Sequence, residues 1–382
     1  MKVVYLDNAA TTPIDPEVIQ VMQESMQTNF GNPSSTHQFG RKAKNGVENA
    51  RKNIAKVFNV SASEIIFTAG GTEADNLILY NAVNNLGVKR IITSKIEHHA
   101  VLHTVQEIQS HTDIEVHYVD VKSDGGIDYD HLENLLIDSS SKTLVSLMHV
   151  NNEVGTILDI DRVGELCKSH EALFHSDMVQ SIGHLDVNLN ELEVDFTAVS
   201  AHKFHGPKGV GFAYIKKNSG LKPLIYGGEQ ERGYRGGTEG VHNIVGMDEA
   251  LRLAYEHMDE EKRYVSNLKQ YFVDQLKEQI EGVKFNANCC DLEHSTYTLI
   301  NVCLPISQEK AGILLFQLDI KGIACSKGSA CQSGSGKGSH VLAEILSDED
   351  MQKPSVRFSF SKYNTKEEVD YVIEVLKEFV EE

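Results

Sequence analysis

Several features are missing or scarce in this 382-residue sequence, and each absence closes off a class of protein. No apolar run approaches the ~20 residues needed to span a bilayer. Met1 to Tyr5 leads straight into Leu6-Asp7-Asn8, without the basic start, apolar stretch and cleavage site of a secretory signal, so a cytoplasmic location is expected. Basic residues are outnumbered, 36 Lys and Arg against 55 Asp and Glu, for a net charge of −19. Long-range repulsion therefore disfavours nucleic acid or an anionic membrane as principal partner, though a local pocket for a small anion remains open. The 6 cysteines form no C-x-x-C pair, and a cytosolic chain of this length needs no disulfide framework. Repeats and low-complexity stretches are absent too.

What is present is an ordinary globular composition, 41% hydrophobic and 24% charged, over a length too great for one ordinary core. Two domains, or a large one with a smaller appendage, are expected. Short β-branched runs at residues 64–68, 89–93, 114–119, 143–149, 173–176, 195–199 and 210–215 read as strands. Helical patterns lie between most of them, as at 73–86 and 160–170. Such alternation predicts an α/β fold with a mostly parallel sheet covered on both faces, whose ligands gather at the carboxyl ends of the strands. After residue 245 a long charged helical pattern, 247–280, is followed by strands at 298–302 and 356–360 and helices at 307–318 and 366–380, a smaller α+β unit.

The residues that carry chemistry cluster at these strand ends. Thr68-Ala69-Gly70-Gly71-Thr72-Glu73 turns from a strand through glycines into a helix, whose unpaired N–H groups and positive dipole end suit a phosphate. An ordinary strand–helix turn reads the same way, and no Walker A sequence accompanies it. Ser200-Ala201-His202-Lys203-Phe204-His205-Gly206 places a lysine where desolvation or neighbouring cations would free its lone pair for a Schiff base; an isolated surface lysine is the alternative. His175-Ser176-Asp177-Met178-Val179-Gln180 offers a carboxylate for a pyridine nitrogen and an amide for a ring oxygen, or simply a helix cap. Glu97-His98-His99 supplies an imidazole able to stack on a flat ring and move protons near neutral pH. His99 and His103 have the i, i+4 spacing of metal ligands, but no further ligand set joins them, and no metal is expected. In Gly328-Ser329-Ala330-Cys331-Gln332-Ser333-Gly334-Ser335-Gly336-Lys337-Gly338, small residues surround one cysteine, which predicts a loop presenting a reactive thiolate.

Together these pieces resemble the cysteine desulfurases, members of the class V aminotransferase family with the fold-type-I architecture of pyridoxal-phosphate (PLP) enzymes. The resemblance runs in order through Tyr5-Leu6-Asp7-Asn8-Ala9-Ala10-Thr11-Thr12-Pro13, Gly31-Asn32-Pro33-Ser34-Ser35, Asn151-Asn152-Glu153-Val154-Gly155, Gly206-Pro207-Lys208-Gly209, Arg235-Gly236-Gly237-Thr238 and Arg357-Phe358-Ser359. It implies a large PLP-binding domain over residues 15–258, with a mostly parallel mixed sheet, and a smaller α+β domain from 1–14 plus 259–382 that carries the loop cysteine. By the same resemblance Lys203 would hold PLP as a Schiff base, and Gly71, Thr72, Ser200 and His202 its phosphate. Asp177 would pair with the ring nitrogen, Gln180 with the ring hydroxyl, and His98 would stack on the ring. Asn152 and Arg357 would grip the substrate carboxylate. Thr238 would reach the phosphate of a neighbouring subunit, which implies a homodimer.

The implied activity is removal of sulfur from L-cysteine, leaving L-alanine and a persulfide on Cys331 for a protein acceptor, an iron–sulfur scaffold or a sulfur carrier. Selenocysteine lyase or another PLP elimination or transamination is the enzymatic alternative, which needs no protein thiol. A sulfur-trafficking scaffold without turnover is the non-enzymatic one. The stretch Gly334-Ser335-Gly336-Lys337-Gly338-Ser339 stands where the family commonly has Leu-Glu-Pro-Ser, and Cys325 precedes Cys331 closely, as a spectator by default or else a sulfur relay or a partner in a protective disulfide.

Overall fold

The computed structural model describes residues 2–137, 141–327 and 338–381. The chain opens with a short strand, β1 (Val4–Tyr5), and two helices, α1 (Pro16–Thr28) and α2 (Gln38–Val57). Asp15 caps α1 by accepting the Glu17 N–H, with Pro16 in the first turn where no N–H is missed. Strands and helices then alternate: β2 (Ile65–Thr68), α3 (Gly71–Asn84), β3 (Arg90–Ser94), α4 (His99–His111), β4 (Glu115–Val119), α5 (Tyr129–Ile137), β5 (Thr143–Ser146), α6 (Ile160–Ser169), β6 (Leu173–Asp177), β7 (Phe196–Ser200) and β8 (Gly211–Ile215). The remainder comprises α7 (Val241–Glu256), α8 (Met258–Gln279), β9 (Lys284–Phe285), β10 (Leu299–Cys303), α9 (Gln308–Ile320), β11 (Ile323–Ala324), α10 (His340–Ile345), β12 (Ser355–Ser359) and α11 (Lys366–Glu381).

Strands β2 to β8 form one sheet in the order β2-β8-β7-β6-β5-β3-β4. All seven runs read as strands from the sequence lie in it. Its pairings are parallel from β4 to β7, while β8 runs antiparallel to both β7 and β2. Two reversals restore direction, so β2 points the same way as β7. The carboxyl ends of β2, β3, β5, β6 and β7 therefore share one edge. Most of these strands are buried along their whole length, as a sheet covered on both faces requires, and only the edge strand β4 is half exposed. One face packs Ile54, Phe58, Phe174, Phe212 and Leu251; the other packs Leu77, Ile78, Val101 and Phe196. Each such side chain contributes ~1.5–3 kcal/mol on leaving water.

A separate core gathers around β12-β10-β9, an antiparallel sheet, with α8 and α11. Val369, Val372, Ile373 and Leu376 line the buried stripe of α11 at helical spacing. Val4 and Leu6 join this core, because β1 pairs in parallel with β11. The continuous helix expected over 247–280 is instead broken: His257, at φ −108° and ψ 9°, separates α7 from α8. The acidic residues Asp259, Glu260 and Glu261 that follow suit a new positive N-terminus better than a helix interior.

One buried ion pair holds the back of the large sheet. Arg51 of α2 donates from Nη1 and Nη2 to the two Glu231 oxygens at 2.7 and 2.8 Å, and also to the Ile65 carbonyl. Glu231 in turn accepts the Phe67 N–H at 2.8 Å, so both partners are tied to β2 as well as to each other. Both side chains are 2% exposed. Removing one partner leaves an uncompensated buried charge, at a cost of about 3–5 kcal/mol. Arg51→Met should lower the unfolding free energy by that amount in urea titrations; a loss below about 1 kcal/mol, the scale of an exposed pair, would show that Glu231 finds water instead.

Candidate active site

Five strand ends meet around a cavity of about 220 Å³ lined by Ala9, Ala10, Gly71, Thr72, Asp75, His98, Met148, Asn152, Asp177, Val179, Gln180, Ser200, His202, Lys203 and Arg357. Ten of the site residues named from the sequence thus come together, Gly71, Thr72, His98, Asn152, Asp177, Gln180, Ser200, His202, Lys203 and Arg357. Cys331 lies outside the described residues, as does the stretch 328–337 around it.

At one end Gly70, φ +153°, is the N-cap of α3 and offers no side chain to cap the helix's first N–H groups. Gly71 is required by space: a Cβ there would stand 2.5 Å from Val179 Cγ2. The hydroxyls of Thr72 and Ser200 and the His202 ring flank this open N-terminus, and the hollow continues outward past Thr11, Asn76 and Lys208. Burial pushes His202 down to about 4, so it serves as a neutral ring, with Nδ1 3.1 Å from Thr11 Oγ1. A phosphate here would be met by helix N–H dipoles, hydroxyls and the Lys208 ammonium, not by an imidazolium.

Lys203 sits in the turn after β7, and its Nζ donates to the carbonyls of Ala9 and Ala10 at 2.7 and 2.8 Å. Gln180 Nε2 donates to the same Ala9 carbonyl at 2.9 Å. These acceptors are main-chain atoms of the N-terminal strap, invisible to a search for reactive side chains. His98 caps α4, its Nδ1 accepting the Ala100 N–H at 3.1 Å, so the ring proton of the neutral form is on Nε2. Burial first, then the Lys203 charge and neighbouring imidazoles, hold His98 down to about 4.

Asp177 closes β6, with Oδ1 accepting the Val179 N–H at 2.9 Å. Burial raises its pKa to about 6, against the pull of the Val179 amide and the Lys203 charge. Behind it lie two carboxyls to which the sequence assigns no role, Glu97 standing there only as the neighbour of His98. Asp75 on α3 is raised well above the ordinary range by burial and by the charges of Asp177 and Glu97. Its Oδ1 lies 3.3 Å from His175 Nε2 without the alignment of a hydrogen bond, and burial keeps that imidazole neutral. Glu97 is raised to about 8 by burial, although Ser94 Oγ donates to it at 2.7 Å. Three carboxyls so enclosed resist ionising together: burial raises all of them, Asp177 to about 6, Glu97 to about 8, and Asp75 in the same direction. Nothing in their spacing marks them in the sequence; they are ordinary helix and loop acids until the fold buries them.

Across the cavity Arg357, 1% exposed, donates from Nη1 to the Asn152 carbonyl at 2.6 Å and from Nη2 to Asp7 Oδ1 at 3.0 Å. Its Nε has no partner among the described residues. Asp7 is therefore a further site residue. Thr238 stands apart, lining a second cavity of about 190 Å³ with Phe67, Ala69, Arg235 and Asn243. His99 and His103 stack ring on ring at 4.6 Å with His340 4.4 Å beyond, and among the described residues three potential metal donors converge only at exposed Asp291, Glu293 and His294. Burial pushes the Cys325 thiol up to about 12, which leaves it a poor nucleophile and favours the spectator reading.

The protonated state of Glu97 has a measurable consequence. From its ordinary value of 4.5 up to about 8, the folded chain holds a proton that the unfolded chain has released, so this group lowers stability as pH rises through that window. In the cofactor-free protein Glu97→Gln should match wild type near pH 5 and become progressively more stable than it towards pH 8. A difference in urea midpoints that does not change with pH would show Glu97 to be ionised.

The family model described as aminotransferase class V matches residues 4–372. The chain is 43% identical over 373 residues to the putative cysteine desulfurase IscS 1 of Bacillus subtilis, covering 97% of this chain and 96% of that one. It is 40% identical over 380 residues to the cysteine desulfurase IscS of Dictyoglomus turgidum, covering 99% and 94%. Among solved structures a NifS-like protein superposes with a TM-score of 0.90 at 38% identity, over 100% of both chains.

Proposed function

We infer that this chain, which belongs to the cysteine desulfurases of the class V aminotransferase family, takes sulfur from L-cysteine onto Cys331 and releases L-alanine. The observation that carries the reading is one cavity in which the Lys203 amine, the Asp177 carboxylate, the uncapped start of α3 and the buried Arg357 guanidinium all converge. Those residues fit PLP. Gly71, Thr72, Ser200 and His202 would hold its phosphate, Asp177 its ring nitrogen, Gln180 its ring hydroxyl, and His98 one face of its ring. Its aldehyde would be bound by the Lys203 amine. Bound there, PLP supplies an electron sink for charge developing at the substrate Cα.

The chain's own groups do the rest. Arg357 and Asn152 orient the substrate carboxylate; of the five guanidinium N–H groups the Asn152 carbonyl and Asp7 take two, so each Nη nitrogen keeps a second hydrogen to donate. Asp7 keeps the guanidinium in place from the other side. Lys203, once released by the substrate amine, moves the Cα proton. The Cys331 thiolate then forms an S–S bond to the substrate sulfur as the C–S bond breaks. The electron pair of that bond goes to the substrate Cβ, which takes up a proton and becomes the alanine methyl. Sulfur is oxidised and carbon reduced within the same step, so no outside oxidant is required.

Thr238, remote from the Lys203 cavity of its own chain, serves the neighbouring subunit of a homodimer in this reading. The division into residues 15–258 and 1–14 plus 259–382 accords with the separate cores. A cytoplasmic location and a protein acceptor, either an iron–sulfur scaffold or a sulfur carrier, complete the proposal. No described helix is long and apolar enough to cross a membrane.

Incubation with L-cysteine, followed by assay of alanine, sulfide and protein-bound persulfide, tests the reading. Cys331→Ala should keep the visible band of the bound cofactor and lose the persulfide. Full turnover of cysteine by that variant would overturn the sulfur-carrying role. Lys203→Ala should lose the band, and its retention would sink the cofactor assignment.

A further inference from the structure

Lys203 is held at two points, and only one faces the cavity. Its amine meets the Ala9 and Ala10 carbonyls. Its own main-chain carbonyl points the other way, into the protein, where His184 Nε2 stands 3.0 Å from it. A carbonyl can only accept, so Nε2 carries the ring proton and Nδ1 is left as an acceptor. The Tyr297 hydroxyl lies 3.4 Å from that Nδ1 and is its donor, with the two rings edge to face at 78°. Both nitrogens of a 7%-exposed imidazole are thus committed, and burial favours the neutral ring this arrangement needs.

The approach is built into the backbone. Gly183 adopts φ +85°, and a Cβ there would stand 2.5 Å from the Phe204 Cβ, so only glycine lets the turn after β6 close on the residue following Lys203. Beyond the imidazole, Tyr297 leads into β10, whose Asn301 pairs directly with Arg357 of β12. A short line of contacts therefore runs from the Lys203 carbonyl through His184 and Tyr297 to the strand pair carrying the guanidinium.

We propose that His184 is a positioning residue for Lys203, fixing its main chain and coupling it through Tyr297 to the small sheet that carries Arg357. What Lys203 does chemically rests on the function proposed above; the positioning itself does not. Without the imidazole donor, the Lys203 turn is freed from the small sheet and its amine sits less firmly on the strap carbonyls.

The test compares His184→Leu, which removes the donor, with His184→Gln, whose amide nitrogen takes the place of Nε2. In the full-length chain freed of cofactor, trace acetylation of Lys203 is followed by mass spectrometry of its peptide. In the holoenzyme, the visible band is titrated against pH. His184→Leu should label about 3- to 10-fold faster than wild type, the effect of one lost hydrogen bond, and should shift the titration midpoint. His184→Gln should restore both, and Tyr297→Phe should move labelling in the same direction as His184→Leu. Wild-type labelling and titration in His184→Leu, with only its melting temperature lowered, would reduce His184 to packing and overturn the proposal. Should that variant fail to fold, His184→Asn replaces it, since an amide at the Nδ1 place cannot reach the carbonyl. Faster labelling in Asn than in Gln supports the proposal, and equal rates overturn it. A wild-type holoenzyme without a visible band would count against the cofactor reading alone, because the labelling rates still decide the role of His184.

Discussion

The main-chain carbonyl of Ala9 accepts hydrogen bonds from both the Lys203 amine and the Gln180 amide, and much of the site's order follows from that double contact. A lysine amine at the edge of a buried cavity is costly to leave without acceptors. Here they come from a strap that belongs to neither sheet. Ala9 N–H donates to Ser359 Oγ, and Asn8 Nδ2 to the Ser359 carbonyl, which fixes the strap to β12. Thr12 takes the other side, its N–H donating to the His202 carbonyl and its hydroxyl accepting the His205 N–H. The strap therefore spans the two cores and presents its carbonyls where they meet.

The electrostatic plan is asymmetric. The strand-end side concentrates Asp75, Glu97 and Asp177, and the small-sheet side supplies Arg357 balanced by Asp7. Burial keeps His98 and His202 neutral, so fixed positive charge at the cavity comes from Lys203 and Arg357 rather than from imidazoles. Such an interior favours a ligand that brings one cationic nitrogen to Asp177 and one anionic group to the start of α3. Asp177, raised to about 6 against about 8 for Glu97, is the more readily ionised of those two and lines the cavity itself.

Strand ends were legible in the sequence because their signals are local. A β-branched run followed by glycine, histidine or lysine marks where a strand stops and chemistry begins, and residues 68–73, 97–98, 175–180 and 200–203 all fell where such runs end. Arg357 was named only through family resemblance, since one arginine in a strand announces nothing. The broken helix at His257 was missed because periodicity carries across a single non-helical residue. Asp75, Glu97 and His184 carry no role in the sequence because nothing local distinguishes them; only burial gives them a shifted pKa or a fixed tautomer.

By itself the sequence determined which chemical groups are available: an amine, a carboxylate, an open helix start, an imidazole and a guanidinium, each on its own segment. It also determined the α/β class, through the alternation of short β-branched runs with helices. The tertiary structure decided how those groups face one another. Insertion of antiparallel β8 between β2 and β7 sets the glycine turn after β2 beside Lys203, and the β1–β11 pairing carries the strap's carbonyls to that lysine. Both are pairings between distant stretches of chain, set by hydrogen-bond register and shared burial, and no local window of sequence contains that information.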